Sequence, residues 1–176
     1  MDPYERYYRR SLRDVLVGQG VLSQEKADEL VESAYESNEP FGAVVVDAGH
    51  LTSWDLVKAV CTHYQMPVLR LGGYDFASEM FEVISPATLY HHQLVPVGRF
   101  GKSWAFAVIE PPTRECVEML KQTCGPSLFF FASEVPEVQA ALQEYVKVVD
   151  VSSDKSWESV FDTGDAAVLD QLTSPE

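Results

Sequence analysis

At 176 residues, with 46% apolar and 11% aromatic side chains, the chain can bury a core and has room for one domain or two small subdomains. Twenty-seven acidic side chains against thirteen basic ones leave a net charge of −14, which repels phosphate backbones and anionic lipid and argues against general nucleic-acid or membrane-surface binding. No apolar run reaches the length of a membrane span, and the opening MDPYERYYRR lacks the apolar region of a signal peptide.

The first predicted element is a basic N-terminal helix carrying Arg6, Arg9, Arg10 and Arg13 beside Tyr4, Tyr7 and Tyr8. Its charges are expected to pair with the chain's own acids, an acidic partner surface being the alternative.

A repeat comes next. SLRDVLVGQGVLS (11–23) and PFGAVVVDAGHLT (40–52) align at a constant offset of 29 residues. Leu12 falls on Phe41, Leu16-Val17 on Val45-Val46, Gly20 on Gly49, Leu22 on Leu51 and Ser23 on Thr52. Each copy reads as a short helix stopped by a glycine able to take the left-handed conformation, then a Ser or Thr N-cap that opens a second helix. Thr52 and Asp55 fit a capping box, with Asp55 reaching back to free N–H groups. The second helices, 24–37 and 53–64, carry apolar stripes of Ala27, Leu30, Val31 and Ala34, then Leu56, Val57, Val60 and Cys61. Two helical hairpins burying these stripes against each other are predicted.

After Pro67 the pattern turns to mixed α and β. A strand is predicted at 68–71, a turn at Gly72-Gly73, short helices at 78–84 and 86–92, and strands at 94–98 and 103–109. A helix at 113–123 closed by Gly125, a strand at 127–132 and a helix at 134–146 opened by Ser133 complete the order.

The link between the two central strands is GRFGKS (98–103), whose Gly-Lys-Ser ending matches a nucleotide-binding P-loop. The first glycine such a loop needs is replaced by Pro96, which has no N–H to offer a phosphate. After Ser103 comes the strand-like WAFAVI in place of a helix, so the segment reads as a β-hairpin and no ATPase site is expected.

From Val148 the composition shifts to seven acids and one lysine, the mark of a tail that cannot bury enough surface to fold alone. Within it Trp157, Val160 and Phe161 stand at i, i+3 and i+4, the layout of a helix-in-groove anchor for a partner, or of packing on the chain's own domain. The predicted class is α+β: a bundle of two repeated helical hairpins (1–65), a small α/β sandwich of order β-α-α-β-β-α-β-α (66–147) and an acidic C-terminal tail (148–176).

Cys61, Cys116 and Cys124 show no metal or disulfide spacing and suggest reduced thiols in the cytoplasm. His50, His63, His91 and His92 form no metal-ligand pattern, so neither metal nor resident cofactor is expected. No Ser/His/Asp, Cys/His or paired-carboxylate arrangement can be built from spacing, so no enzyme activity is expected.

Taken together, the repeat, Pro67, the LVPVGRFGKSWAFAVIEP hairpin and the helix after FFFASEVPEV resemble the N-terminal domain of type II secretion and type IV pilus assembly ATPases, over residues 11–146. The resemblance implies a detached regulatory or docking module that meets a protein partner in a bacterial secretion, pilus or motility machine. A subset of that family binds cyclic di-GMP through the same repeat, in a twice-repeated R-L-G-x-x-L-V-x-x-G-L-L pattern. Carried over, the ligand-binding candidates are Leu16, Val17, Gly20, Val21 and Leu22 in the first copy. In the second they are Gly42, Val45, Val46, Gly49 and Leu51. The arginine positions hold Ser11 and Pro40, and the terminal glutamine positions hold Ala34 and His63. Arg13 stands at the first copy's glycine position and is the candidate substitute. Removing a charge-assisted hydrogen bond to a dianion costs about 1.5–3 kcal/mol, so the structural repeat is the stronger reading and the dinucleotide sensor the alternative.

Overall fold

A computed structural model describes residues 1–146; the tail with its Trp157, Val160 and Phe161 anchor lies outside the described residues. The chain begins with α1 (Glu5–Tyr8), α2 (Leu12–Gly18), α3 (Gln24–Ser37), α4 (Phe41–Asp47) and α5 (Ser53–Tyr64). A 3₁₀ turn (Ser78–Glu82) leads to α6 (Pro86–His92), β1 (Val95–Phe100), β2 (Ser103–Val108), α7 (Arg114–Cys124), β3 (Ser127–Ala132) and α8 (Val135–Tyr145). This is an α+β fold.

Helix starts arise from side-chain oxygens placed at the N-caps. Ser11, Ser23, Thr52, Ser85 and Thr113 each accept the backbone N–H three residues on, satisfying a donor that the helix leaves free. Asn38, Gln65 and Gln93 end their helices in the left-handed region, with φ of 56°, 54° and 49°.

The sheet has order β1-β2-β3, the first pair antiparallel and the second parallel. GRFGKS is the turn of the β1–β2 hairpin: Phe100 pairs with Ser103, and Gly101 sits at φ 62°. A bulge at Val97 lets Pro96, which cannot donate to a ladder, remain in the strand. Leu16, Phe106, Leu89, Leu120 and Leu142 are fully buried and anchor a core shared by helices and sheet.

Several expectations are corrected in detail. The segment 68–71 is not a strand: Val68 makes a single parallel bridge to Ala132, through Leu69 N–H to Ala132 O and Ala132 N–H to Pro67 O. Residues 78–84 give only the 3₁₀ turn, held by Phe81 stacked on Tyr145 and edge-on to Phe76. Ser133 does not cap α8; its hydroxyl donates to Leu69 O, and Val135 N–H at the helix start donates to Ser53 Oγ instead. Asp55 accepts from the Thr52 hydroxyl, not from a free N–H. The basic N-terminal stretch is two helices, with Arg13 in α2. Val31 is 42% exposed, outside the apolar stripe that its spacing predicts. The repeat's second helices pack on its first helices, α3 on α2 and α4 and α5 on α4, and α5 packs equally on β3.

Candidate functional site

The two copies of the repeat share their helix spacing and turn, though not their opening caps. The pairs α2/α4 and α3/α5 start at positions 29 residues apart, as the sequence offset requires. Gly20 N–H reaches Val17 O and Gly49 N–H reaches Val46 O; Val21 N–H reaches Leu16 O and His50 N–H reaches Val45 O. Gly20 and Gly49 hold φ of 74° and 78°, with no atom within 4 Å of where a Cβ would stand. Backbone conformation is therefore what both positions ask of a glycine.

The other candidates divide by depth. Leu16 and Val45 are fully buried and Leu22 nearly so, which withdraws their side chains from any guest. Val17, Val21, Val46 and Leu51 are half-buried at the surface of the repeat. Arg13 is occupied: its guanidinium donates to Asp28 and, at 2.7 Å, to Asp14. The Ser11 hydroxyl and then Arg13 hold the Asp14 carboxyl below its ordinary range.

Gly42 is occupied differently. Its N–H donates to Glu110 Oε2 at 2.7 Å. A Cβ there would stand 3.1 Å from Leu56 Cδ2 and 3.2 Å from that same oxygen. Pro40, at the N-cap, offers no side-chain oxygen, and a carboxylate from the end of β2 takes that role across the fold. Burial pushes the Glu110 carboxyl up to about 7, against the lowering pull of the Gly42 and Phe41 N–H groups. Tyr64, whose hydroxyl donates to Arg10 O, is raised by burial and then by the nearby Glu110 charge.

Two cavities adjoin at Glu110 and share Val31, Phe41, Pro111, Pro112 and Thr113 as walls. The larger, about 650 Å³, is rimmed by Glu39, Glu115, His91 and His92; the smaller, about 490 Å³, by Arg10, Arg13, Arg114, Tyr7 and Tyr8. His92 is held below its usual range by burial and then by His91. Among the described residues no three His, Cys, Asp or Glu side chains come together to hold a metal ion. Such surfaces can hold a guest by shape, stacking and ion pairing.

No protein-family model matches the chain. Among solved structures, MshE with cyclic di-GMP has TM-score 0.55 and 17% identity, the match covering 78% of this chain and 99% of that one. The N-terminal domain of XpsE has TM-score 0.52 and 14% identity, over 78% of this chain and 98% of that one. The fold is that of MshE and of the XpsE N-terminal domain. A curated relative agrees: the type IV pilus assembly ATPase PilB of Myxococcus xanthus is 21% identical over 134 residues. That match takes in 76% of this chain, and the chain spans only 24% of PilB.

Of the ligand-binding candidates carried over from the repeat, only Arg13 lines the cavities beside Glu110, while Arg10, Tyr7 and Tyr8 of the basic N-terminal stretch line the smaller one. Glu110 itself escapes sequence reasoning. Its one signal is an acid closing the apolar run WAFAVI, immediately before Pro111-Pro112.

Proposed function

We propose that the chain is a non-enzymatic regulatory and interaction module of the bacterial cytoplasm that docks on a component of a secretion, pilus or motility machine. The observation that carries this reading is where the similarity falls: 98–99% of the solved neighbouring chains but 24% of PilB. The one P-loop-like segment in that stretch is a β-hairpin, which has no helix N-terminus to receive a phosphate. The acidic tail, with Trp157, Val160 and Phe161 as anchors, is the proposed partner-binding element. Affinity capture from the native bacterium should recover a machine component with the full chain and lose it when residues 148–176 are deleted. Recovery unchanged by the deletion removes the tail from the reading, and no recovery with either protein rejects the docking role.

A second reading is favoured by one observation, the cyclic di-GMP present in the MshE structure. On it, the half-buried Val17, Val21, Val46 and Leu51 would cover the purines. Ser11 and Pro40 in the arginine positions, and the ion pairs that hold Arg13, count against it. Calorimetry with cyclic di-GMP is expected to give no saturable heat at high micromolar ligand, and a saturating isotherm would establish the sensor.

A further inference from the structure

One face of the sheet is uncovered at its hairpin end. The register places Phe100, Ser103 and Ser127 in one row, and Gly98, Ala105 and Phe129 in the next, on the same face. The Ser103 and Ser127 hydroxyls meet at 2.8 Å, and the Phe100 ring lies so close over Gly98 that a Cβ there would stand 3.0 Å from it. Phe100 is 74% exposed and Phe129 54%, while Ala107, further along this face, is fully buried. The opposite face is closed by the N-terminal arm, where Tyr4 and Tyr7 pack edge-on against Phe130. The open end is thus two exposed rings with small residues between them.

Its electrostatics run against the rest of the chain. Arg99 and Lys102 stand at the hairpin tip, and the groove of about 460 Å³ beside Phe129 has Arg6 as the one charged residue in its lining. Among the described residues none of these three cations makes an ion pair with a carboxylate.

The chain also carries the complement. On α3, Val31 (42% exposed) and Tyr35 (88% exposed) stand at i and i+4. Asp28, Glu32 and Glu36 flank them along one side of the α3 face, Asp28 being paired with Arg13. Glu32 and Glu36 have no ion-pair partner among the described residues. An exposed apolar pair beside an acidic stripe matches exposed rings beside unpaired cations.

We infer that the open sheet face is a docking site for a second copy of this chain, which inserts Val31 and Tyr35 of its α3 against Phe100 and Phe129. The contact is head-to-tail, so each copy keeps one free patch of each kind and association continues beyond the dimer. The patches are small and both molecules carry −14, so the contact belongs to the weak, salt-sensitive class.

The test is sedimentation of the full chain and two double variants, F100S/F129S and V31S/Y35S, with circular dichroism to establish that both fold. Wild type is expected to rise in mass with concentration up to about 1 mM, and each variant to weaken association at least about tenfold. An equimolar mixture of the variants joins one intact α3 to one intact sheet face, so it should form a heterodimer and stop there. Charge reversal, R99E/K102E, should weaken wild-type association and be rescued by E32K/E36K in the partner copy. A wild type that stays monomeric leaves the face to another occupant and overturns the proposal. So does a variant that still self-associates like wild type, because a symmetric contact uses one patch only. These outcomes do not depend on which machine component or dinucleotide the chain meets, so they are separable from the proposed function.

Discussion

The Glu110 carboxyl accepts the Gly42 N–H at 2.7 Å from a half-buried position between the two cavities, and its desolvation there outweighs the hydrogen bonds in setting its acidity. Its pKa in the folded chain is about 7, against an ordinary 4.5. A carboxyl raised on folding contributes stability that is complete below about pH 4.5 and is lost as pH rises through about 7. The charged groups lining the two cavities beside it are Arg10, Arg13, Arg114, Glu39 and Glu115, and the other titrating side chains there are His91, His92, Cys116 and the tyrosines Tyr7, Tyr8, Tyr35 and Tyr64. Glu110→Gln keeps an acceptor for Gly42 and removes the ionisation. Its melting temperature relative to wild type should therefore rise between about pH 5 and about pH 8.5. His92, whose lowered pKa acts in the opposite sense, cancels in this comparison. A difference that stays flat or falls with pH would show that the carboxylate is ionised at no cost.

At the scale of elements, the repeat makes a sharper claim than similarity: equal substitutions in the two copies should have equal effects. Gly20→Ala and Gly49→Ala meet no atom within 4 Å, so only the left-handed backbone at φ 74° and 78° resists them. Each should cost about 1–2 kcal/mol by urea denaturation. Ser23→Ala and Thr52→Ala, which remove matched caps, should each cost about 1 kcal/mol. Unequal effects at Gly20 and Gly49 would mean that something other than the turn depends on one of them.

The same elements show what is legible in the residues. Caps, glycine stops and the hairpin turn act within a few positions, so the offset of 29 and the GRFGKS turn can be read directly. The segment 68–71 cannot, because its one bridge depends on Ala132, far along the chain, and on Pro67 presenting its carbonyl. Glu110 is hidden for the same reason: the N–H it serves belongs to a residue 68 positions earlier, and no local pattern encodes that pairing. Val31 matches the helical period, yet exposure on α3 is decided by which neighbours the helix finds.

At the scale of the whole described molecule, the first residues and the third strand are tied together by one side chain. Tyr4 Oη accepts the Leu128 N–H at 2.8 Å and can donate to Pro126 O or Leu128 O, across 122–124 residues of sequence. It thereby satisfies a strand-edge group on β3 that would otherwise stand unpaired under the Tyr4, Tyr7 and Phe130 rings. Tyr4→Phe keeps the rings and deletes the hydroxyl, which leaves the Leu128 N–H without its partner and should cost about 1–3 kcal/mol. That loss is expected to fall on the arm, which packs over Phe130 at one end of the sheet, before it reaches the rest of the core. Trypsin should then cut after Arg6, Arg9 or Arg10 in Tyr4→Phe well before it cuts elsewhere among residues 11–146, with wild type protected at the same sites. Equal protection in the two proteins would show that the aromatic contacts alone hold the arm, and that the hydroxyl adds nothing to the closure of that face.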